Sequence, residues 1–188
     1  IKTLTDLKGK RLAVGAPKSG TELNARAILK GAGMSYSDLG KVEYLPFNES
    51  VELMKNRQLD ATLISAGVGV SAIRDLCASV DCVIVSIPKS VVEKIGTPDL
   101  PGTIPANTYN GQTSAVEVAT VQNYLVTRSD LKDDVVYEMT KTLFENLPAL
   151  QAAHAAAKAI KLDEAAKSPP VPLHPGAAKY YKEKGVGS

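Results

Sequence analysis

One turn in this chain carries residues whose types and spacing suit anion binding. The turn reads GAPKSGT, follows the apolar run LAV, and precedes an amphipathic segment, so that Ser19, Gly20 and Thr21 stand at the start of a predicted helix. The first turn of a helix has unpaired backbone N–H groups and a partial positive charge, and both favour an anion. Gly20 leaves these groups uncovered, and Thr21 adds a hydroxyl. The turn is therefore a candidate anion cradle.

The same residues have a second interpretation that needs no ligand. Ser19 and Glu22 stand in the S-x-x-E spacing of a capping box. In that motif the serine accepts from the third helical N–H, and the glutamate accepts from the N–H of the serine. The turn is then a helix cap only.

A second Gly-rich turn, SAGVGVS, follows the third predicted strand and begins with Ser65, Ala66 and Gly67. In doubly wound sheets, ligands bind outside the carboxyl ends of the strands, where the strand order reverses. With a strand order of 2-1-3-4, the two Gly-rich turns would face one crevice. Each helix N-terminus would stabilise a partly buried anion by up to about 2 kcal/mol. This coincidence favours the cradle over the cap.

Neither turn carries a complete nucleotide-binding motif. GAPKSGT lacks the lysine that follows the second glycine of a P-loop, because Thr21 occupies that position. GVGVSA, at residues 67–72, matches G-x-G-x-x-A, but it follows the third strand. The position for a ribose-binding carboxylate falls on residues 86–88, which read SIP. We expect no dinucleotide site.

Catalytic groups and metal ligands are not evident. Ser19 has no histidine near it in the sequence. His154 lies among alanines, and His174 precedes Pro175 and is interpreted as a helix cap. No metal-ligand spacing includes either histidine. We predict no catalytic residue, no cofactor and no metal site built by the protein.

Tyr109 is a candidate contact of another kind. It lies in PANTYNGQ, a loop framed by proline and glycine, where a tyrosine can offer an apolar face and a hydroxyl to a small ligand. The alternative is a tyrosine that covers the core.

Cys77 and Cys82 stand at the two ends of CASVDC. A bridge across so small a ring would contribute about 2 kcal/mol and would fit an oxidising compartment. Two half-buried thiols are the alternative.

Composition excludes several classes of function. The 188 residues are 44% apolar, which is ample for a packed core. Basic and acidic residues nearly balance, at 22 and 20, with no dense basic cluster, so no nucleic-acid partner is expected. No apolar run approaches the roughly 20 residues of a membrane span. The chain begins at Ile1 without a signal-like segment, and we expect a processed or trimmed form.

The elements that position these residues are predicted from alternating runs. Between Leu12 and Ile87, β-branched runs alternate with amphipathic segments as β-α-β-α-β-α-β. This pattern predicts an α/β fold with a doubly wound, mainly parallel sheet. In the first helix, Leu23, Ala27 and Ile28 are predicted to face the sheet, with Asn24, Arg26 and Lys30 facing water. The predicted strands are LAVGA, VEYLPF, DATLIS and CVIVSI.

The rest of the chain, after residue 87, is predicted to contain a loop, a strand-like run and several helices. A short helix and a long structured loop follow residue 87, and VATVQNYLVTR then forms a strand-like run. A helix opens at Asp133, an alanine-rich helical region follows it, and a last helix runs between Pro175 and Gly185.

Five segments occur in one order along nearly the whole chain, and together they resemble the solute receptors of TRAP-type transporters, the TAXI subfamily of type II periplasmic binding proteins. The resemblance implies a non-enzymatic, periplasmic receptor that delivers a small solute to a membrane permease. It also implies ligand contacts at Ser19, Gly20, Thr21, Ser65, Ala66, Gly67 and Tyr109. The segments are LKGKRLAVGAPKSGTELNARAIL, ESVELMKNRQLDATLISAGVGVSAI, IPANTYNGQ, DDVVYEMTKTLFEN and LHPGAAKYYKEKG.

Receptors of this family have two α/β lobes, and the chain resembles the second. On this basis residues 1–108 form the second lobe. Residues 109–188 form a crossover strand and a helical segment that would pack on the absent first lobe. Apolar surface left exposed there predicts self-association. Lys18 stands where the family commonly has glycine, and it either adds a positive charge at the pocket edge or points to solvent.

Three functions follow. The first is a receptor that holds a small carboxylate, such as glutamate or a dicarboxylate, and closes by a hinge against the other lobe. The alternative is an enzyme that binds a phosphorylated substrate at the Gly-rich turns, which would need a general base at the crevice. The third is an interaction domain with an empty crevice, in which Ser19 and Glu22 only cap the helix.

Overall fold

The computed structural model describes residues 1–167 and 169–186, which form two compact units, one ending at Gln122 and the other beginning at Asn123. The first unit contains a parallel sheet with helices and a separate antiparallel pair of strands. All regular elements in the described part of the second unit are helices.

The parallel sheet has the strand order β2-β1-β3, with β1 in the centre. This sheet and its helices confirm the predicted α/β fold class. A short 3₁₀ helix at Leu4–Leu7 precedes the sheet, and another at Tyr36–Asp38 precedes β2. The strands and helices of this part are β1 (Arg11–Ala13), α1 (Gly20–Gly31), β2 (Lys41–Glu43), α2 (Phe47–Lys55), β3 (Ala61–Thr62) and α3 (Ser71–Ser79).

The core of the first unit lies between β1 and α1. Val14 is fully buried, and Ala25 and Leu29 of α1 pack in the same cluster. Ile28 is buried as predicted, but Leu23 is 64% exposed, which corrects the predicted apolar face of α1. The buried stripe runs instead through Thr21, Ala25 and Ile28, which recur at helical spacing.

The segment CVIVSI, residues 82–87, forms no strand. Cys82 is bridged to Cys77 at the end of α3, and Pro88 already caps the next helix, α4 (Lys89–Ile95). Near the end of this segment, the Ile87 N–H donates to the Glu117 carbonyl at 2.9 Å. Glu117 is not part of the parallel sheet. The expected fourth parallel strand is therefore wrong, because the bridge and the proline confine this segment.

An antiparallel pair replaces the predicted long loop. Strand β4 (Leu100–Ile104) pairs with β5 (Val116–Thr120) over its full length. The predicted strand at residues 118–128 thus begins earlier and ends at Thr120. Strand β4 is not evident from the sequence because it contains Pro101 and Gly102, two residue types that are rare in strand interiors. Gly102 permits a close approach, since a Cβ there would overlap the Thr120 side chain.

The second unit is built around two helices, α5 (Asp133–Glu145) and α8 (Pro175–Glu183). The predicted helix start at Asp133 is confirmed. His174 caps α8 as predicted, because its Nδ1 accepts from Gly176 N–H at 3.2 Å. Between these helices lie α6 (Leu147–Ala153), a 3₁₀ helix (Ala155–Ala159) and α7 (Leu162–Ala165). Among the described residues, no helix has the length and apolarity needed to cross a membrane.

An ion pair ties the start of β1 to the residue before β3, and it predicts acid sensitivity. Asp60 accepts from Arg11 at the backbone N (2.8 Å) and at the guanidinium Nε (3.0 Å), and these bonds lower the pKa of Asp60 to about 2. An unfolded aspartate has a pKa of about 3.9. The pair therefore stabilises the fold above about pH 4, and this contribution is lost as the pH falls towards 2.

Thermal unfolding measured from pH 5 to pH 2 checks this expectation. We expect the melting temperature of Asp60→Asn to fall less across this range than that of the wild type, by a few degrees. Equal falls in the two proteins would contradict the role of Asp60.

Candidate functional site

The start of α1 lies where the sequence predicts it. Ser19 is the N-cap, and its Oγ accepts from Glu22 N–H at 3.2 Å. Gly20 is exposed, whereas Thr21 is 7% exposed and packs inward. The backbone N–H groups of the first turn have no partner within the helix. Ser19 is thus a helix cap, and the amides of Gly20 and Thr21 stay available to a ligand.

The second hydrogen bond of the predicted capping box, from the Ser19 N–H to the Glu22 carboxylate, is wrong. The N–H of Ser19 already donates to the Ala16 carbonyl at 3.2 Å, so it needs no partner from Glu22. The Glu22 carboxylate is instead buried in an ion pair with Arg26 and accepts from Tyr36 Oη at 3.0 Å. Burial and this hydrogen bond raise the pKa of Tyr36. Glu22 therefore anchors α1 to the 3₁₀ helix at Tyr36–Asp38 and leaves the cap to Ser19 alone.

Two left-handed residues shape the turn before α1. Gly15 has a φ of +97°, and Lys18 has a φ of +59°. A left-handed conformation costs an L-residue roughly 1–2 kcal/mol, which glycine avoids. Lys18 therefore bears a strain that a glycine at this position would avoid. The Lys18 side chain is exposed and forms no ion pair within the described ranges.

A hydrogen bond joins the second predicted turn to α1. Ser65 Oγ accepts from Asn24 Nδ2 at 2.9 Å, although the two residues are 41 positions apart. Ala66 and Gly67, next in the chain, are exposed. Asn24 is half-buried, which corrects the expectation that it faces water. The one sequence signal for this position is its spacing: Asn24 follows Gly20 by one helical turn, so both residues lie on the same side of α1.

Tyr109 is buried beneath the second turn and holds it by a hydrogen bond. The residue is 4% exposed, and its Oη accepts from Gly69 N–H at 2.9 Å. Its neighbour Asn110 donates from Nδ2 to the Cys77 carbonyl at 3.1 Å. Adjacent residues of one loop thus hold both ends of α3.

The disulfide, left open by the sequence, is formed between Cys77 and Cys82, whose Cα atoms lie 5.2 Å apart. It links the last turn of α3, at Cys77, to the segment that follows the helix, and Asn110 donates to the carbonyl of the same cysteine. The end of α3 is therefore held by a covalent link and by a hydrogen bond.

Removing the Tyr109 hydroxyl is expected to loosen the turn at Gly69. Tyr109→Phe leaves the partly buried N–H of Gly69 without its acceptor, which should cost about 1 kcal/mol. Amide hydrogen exchange at Gly69 should become faster. Tyr44→Phe is the matched control, because the exposed Tyr44 hydroxyl makes no hydrogen bond with the described residues. Unchanged exchange at Gly69 would contradict the supporting role of Tyr109.

Other chemistry is sparse in the part of the chain that the structure describes. His154 Nδ1 accepts from Ala156 N–H at 3.1 Å, so both histidines act as helix caps. No cluster of three or more histidine, cysteine, aspartate or glutamate side chains suits a metal ion among the described residues. A shallow pocket of about 210 Å³ contains none of the predicted site residues. It is lined by Ile87, Lys89, Pro101, Gly102, Thr103, Glu117 and Val118.

Comparison with known families gives a match. The sequence profile described as the NMT1-like family matches residues 1–185. The chain belongs to the NMT1-like family. The NMT1-like family is part of the type II periplasmic binding protein superfamily, so the resemblance found in the sequence is confirmed at that level. NMT1-like proteins are extracytoplasmic solute-binding proteins, which fits a binding protein and not an enzyme.

Proposed function

We propose that this chain is a periplasmic solute receptor that binds a small carboxylate between the start of α1 and the turn after β3. One observation carries the proposal. Strands β1 and β3 are parallel neighbours, so the residues that follow them lie at one edge of the sheet. The hydrogen bond from Asn24 to Ser65 joins the two segments directly.

The available groups suit a carboxylate. The amides of Gly20 and Thr21 have no partner within α1, and the hydroxyls of Ser19 and Ser65 can each donate a proton. The helix dipole of α1 adds a partial positive charge, and the unpaired Lys18 adds a full one nearby in sequence. Ala66 and Gly67 leave the backbone of the second turn accessible. Tyr109 acts in this proposal by holding the second turn.

The finer assignment rests on the resemblance to TAXI receptors of TRAP-type transporters. The solute is then a glutamate-like amino acid or a dicarboxylate, and the bound receptor delivers it to a membrane permease. Residues 1–108 are the second lobe of such a receptor, and residues 109–188 are the crossover strand and the helical segment.

We expect the exposed apolar side chains near the crossover, such as Leu125 (76% exposed) and Val126 (68%), to promote self-association. A monomer in sedimentation velocity would contradict this expectation.

A titration followed by backbone amide NMR tests the binding site. L-Glutamate, 2-oxoglutarate, phosphate and ATP are added separately to the chain. We expect glutamate or 2-oxoglutarate to shift the amides of Gly20, Thr21 and Gly67 together. Ser19→Ala should weaken this response, whereas Ser37→Ala, an exposed serine outside both turns, should leave it unchanged.

The other outcomes are equally informative. Shifts caused by ATP or phosphate alone would support the enzyme that binds a phosphorylated substrate. No shift with any of the four compounds would contradict a solute site at these turns.

A further inference from the structure

The contact between Asn24 and Ser65 has a defined direction. Asn24 Nδ2 donates to Ser65 Oγ at 2.9 Å, and both side chains are half-buried. A serine hydroxyl has two acceptor lone pairs and one proton to donate. Because one lone pair is occupied by Asn24, the proton of Ser65 must point away from the Asn24 nitrogen. No other side chain in the described ranges bonds to Ser65.

We infer that Asn24 is a positioning residue that, by donating to Ser65, leaves the Ser65 proton free for the solute. This inference rests on the proposed function and names a determinant of its specificity. A free proton at Ser65 can be donated to a carboxylate oxygen of the solute. If that proton were instead bonded within the protein, Ser65 could only accept, and a solute carboxylate would meet lone pairs and lose a hydrogen bond.

The free proton of Ser65 depends on the amide group of Asn24, and a carboxylate at position 24 would not leave that proton free. In Asn24→Asp the side chain is nearly isosteric, but it only accepts hydrogen bonds at neutral pH. It would take the proton of Ser65, so that Ser65 presents lone pairs to the solute. It would also add a negative charge beside the site. Asn24→Ala removes the constraint without reversing it.

A first experiment needs no ligand. The side-chain amide protons of Asn24 are followed by NMR in the free chain and in Ser65→Ala. We expect the Asn24 amide resonance to shift and its protons to exchange faster in Ser65→Ala, because the acceptor is gone. An unchanged resonance and exchange rate would overturn the inference, whatever the chain binds.

A second experiment measures the solute preference. L-Glutamate, L-glutamine and L-isoglutamine are titrated, so that each carboxylate of glutamate is replaced by an amide in turn. We expect Asn24→Ala to weaken glutamate binding about fivefold to tenfold and Asn24→Asp to weaken it at least about thirtyfold. Asn24→Asp should also reduce the ratio of the affinity for glutamate to the affinity for one of the two amides.

Controls separate this role from a structural one. Asn48→Asp makes the same charge change at an exposed position of α2 and should alter glutamate binding less than about twofold. If Asn24→Asp weakens all three ligands equally, Asn24 is merely structural and the inference is overturned. If the wild type binds none of the three, the proposed function fails, and with it the role of Ser65 towards a solute. The free-chain experiment then still decides whether Asn24 orients Ser65.

Discussion

Replacing Gly15 by alanine is expected to destabilise the first unit by about 2–5 kcal/mol. Gly15 is buried with a φ of +97°, a conformation that costs a side-chain-bearing residue roughly 1–2 kcal/mol. An added Cβ would also lie 2.7 Å from both Cβ and Cγ2 of Thr21. Overpacking of a tight interior typically costs a further 1–3 kcal/mol. Because Thr21 is in the first turn of α1, the clash acts directly on the candidate anion site.

Urea unfolding of two alanine variants separates strain from overlap. Gly33→Ala introduces the same left-handed strain, with a φ of +72°, but its Cβ would meet nothing within 4 Å. We expect the free energy of unfolding to fall more for Gly15→Ala than for Gly33→Ala, and the amide signals of Gly20 and Thr21 to shift only in the former. Equal losses would show that packing of Gly15 against Thr21 contributes nothing to the helix start.

The parts of the fold that follow from local sequence could be predicted. The start of α1 is determined within a few residues, by a capping serine and a glycine that begins a helical stretch, and the structure agrees. The same holds for α5 and for the histidine cap of α8. The parallel pairing follows from the alternation of strands and helices, and the observed order β2-β1-β3 matches the first three strands of the order assumed from the sequence.

Errors arose where distant residues compete with a local pattern. Glu22 has the spacing of a capping box, but Arg26 and Tyr36 provide two donors for its buried carboxylate. CVIVSI has high strand propensity, but the bridge at Cys82 and the antiparallel pair of β4 with β5 decide its course. In both cases the deciding partner is brought close only by the fold.

The candidate site divides in the same way. Ser19, Gly20 and Thr21 are neighbours in sequence, so their shared position follows from one helix start. The bond of Asn24 to Ser65 spans 41 residues and that of Tyr109 to Gly69 spans 40, so neither contact has a local signature. The sequence therefore predicts the helix start that forms the candidate anion site, whereas the residues that contact and support the second turn require the structure.

Replacing Gly176 by alanine is expected to destabilise the second unit by about 3 kcal/mol. Gly176 lies in the first turn of α8 and is buried against α5. An added Cβ would overlap the carbonyl oxygen of Asp133 and would lie 2.8 Å from the amide nitrogen of Tyr137. Both atoms belong to the backbone of a helix, so neither can move without displacing α5 or α8. The cost should therefore reach the upper part of the usual range for overpacking.

Displacement of α8 has a spectroscopic signature, because aromatic rings of both helices pack together. Phe144 of α5 stacks on Tyr180 of α8 with ring centroids 6.0 Å apart. We expect Gly176→Ala to weaken the near-ultraviolet circular dichroism of the tyrosines and to lower the urea midpoint. Gly20→Ala is the matched control, since it also adds a Cβ in the first turn of a helix but meets nothing within 4 Å. A wild-type spectrum and midpoint for Gly176→Ala would mean that α8 tolerates a wider separation from α5, and that close backbone contact does not hold the two helices together.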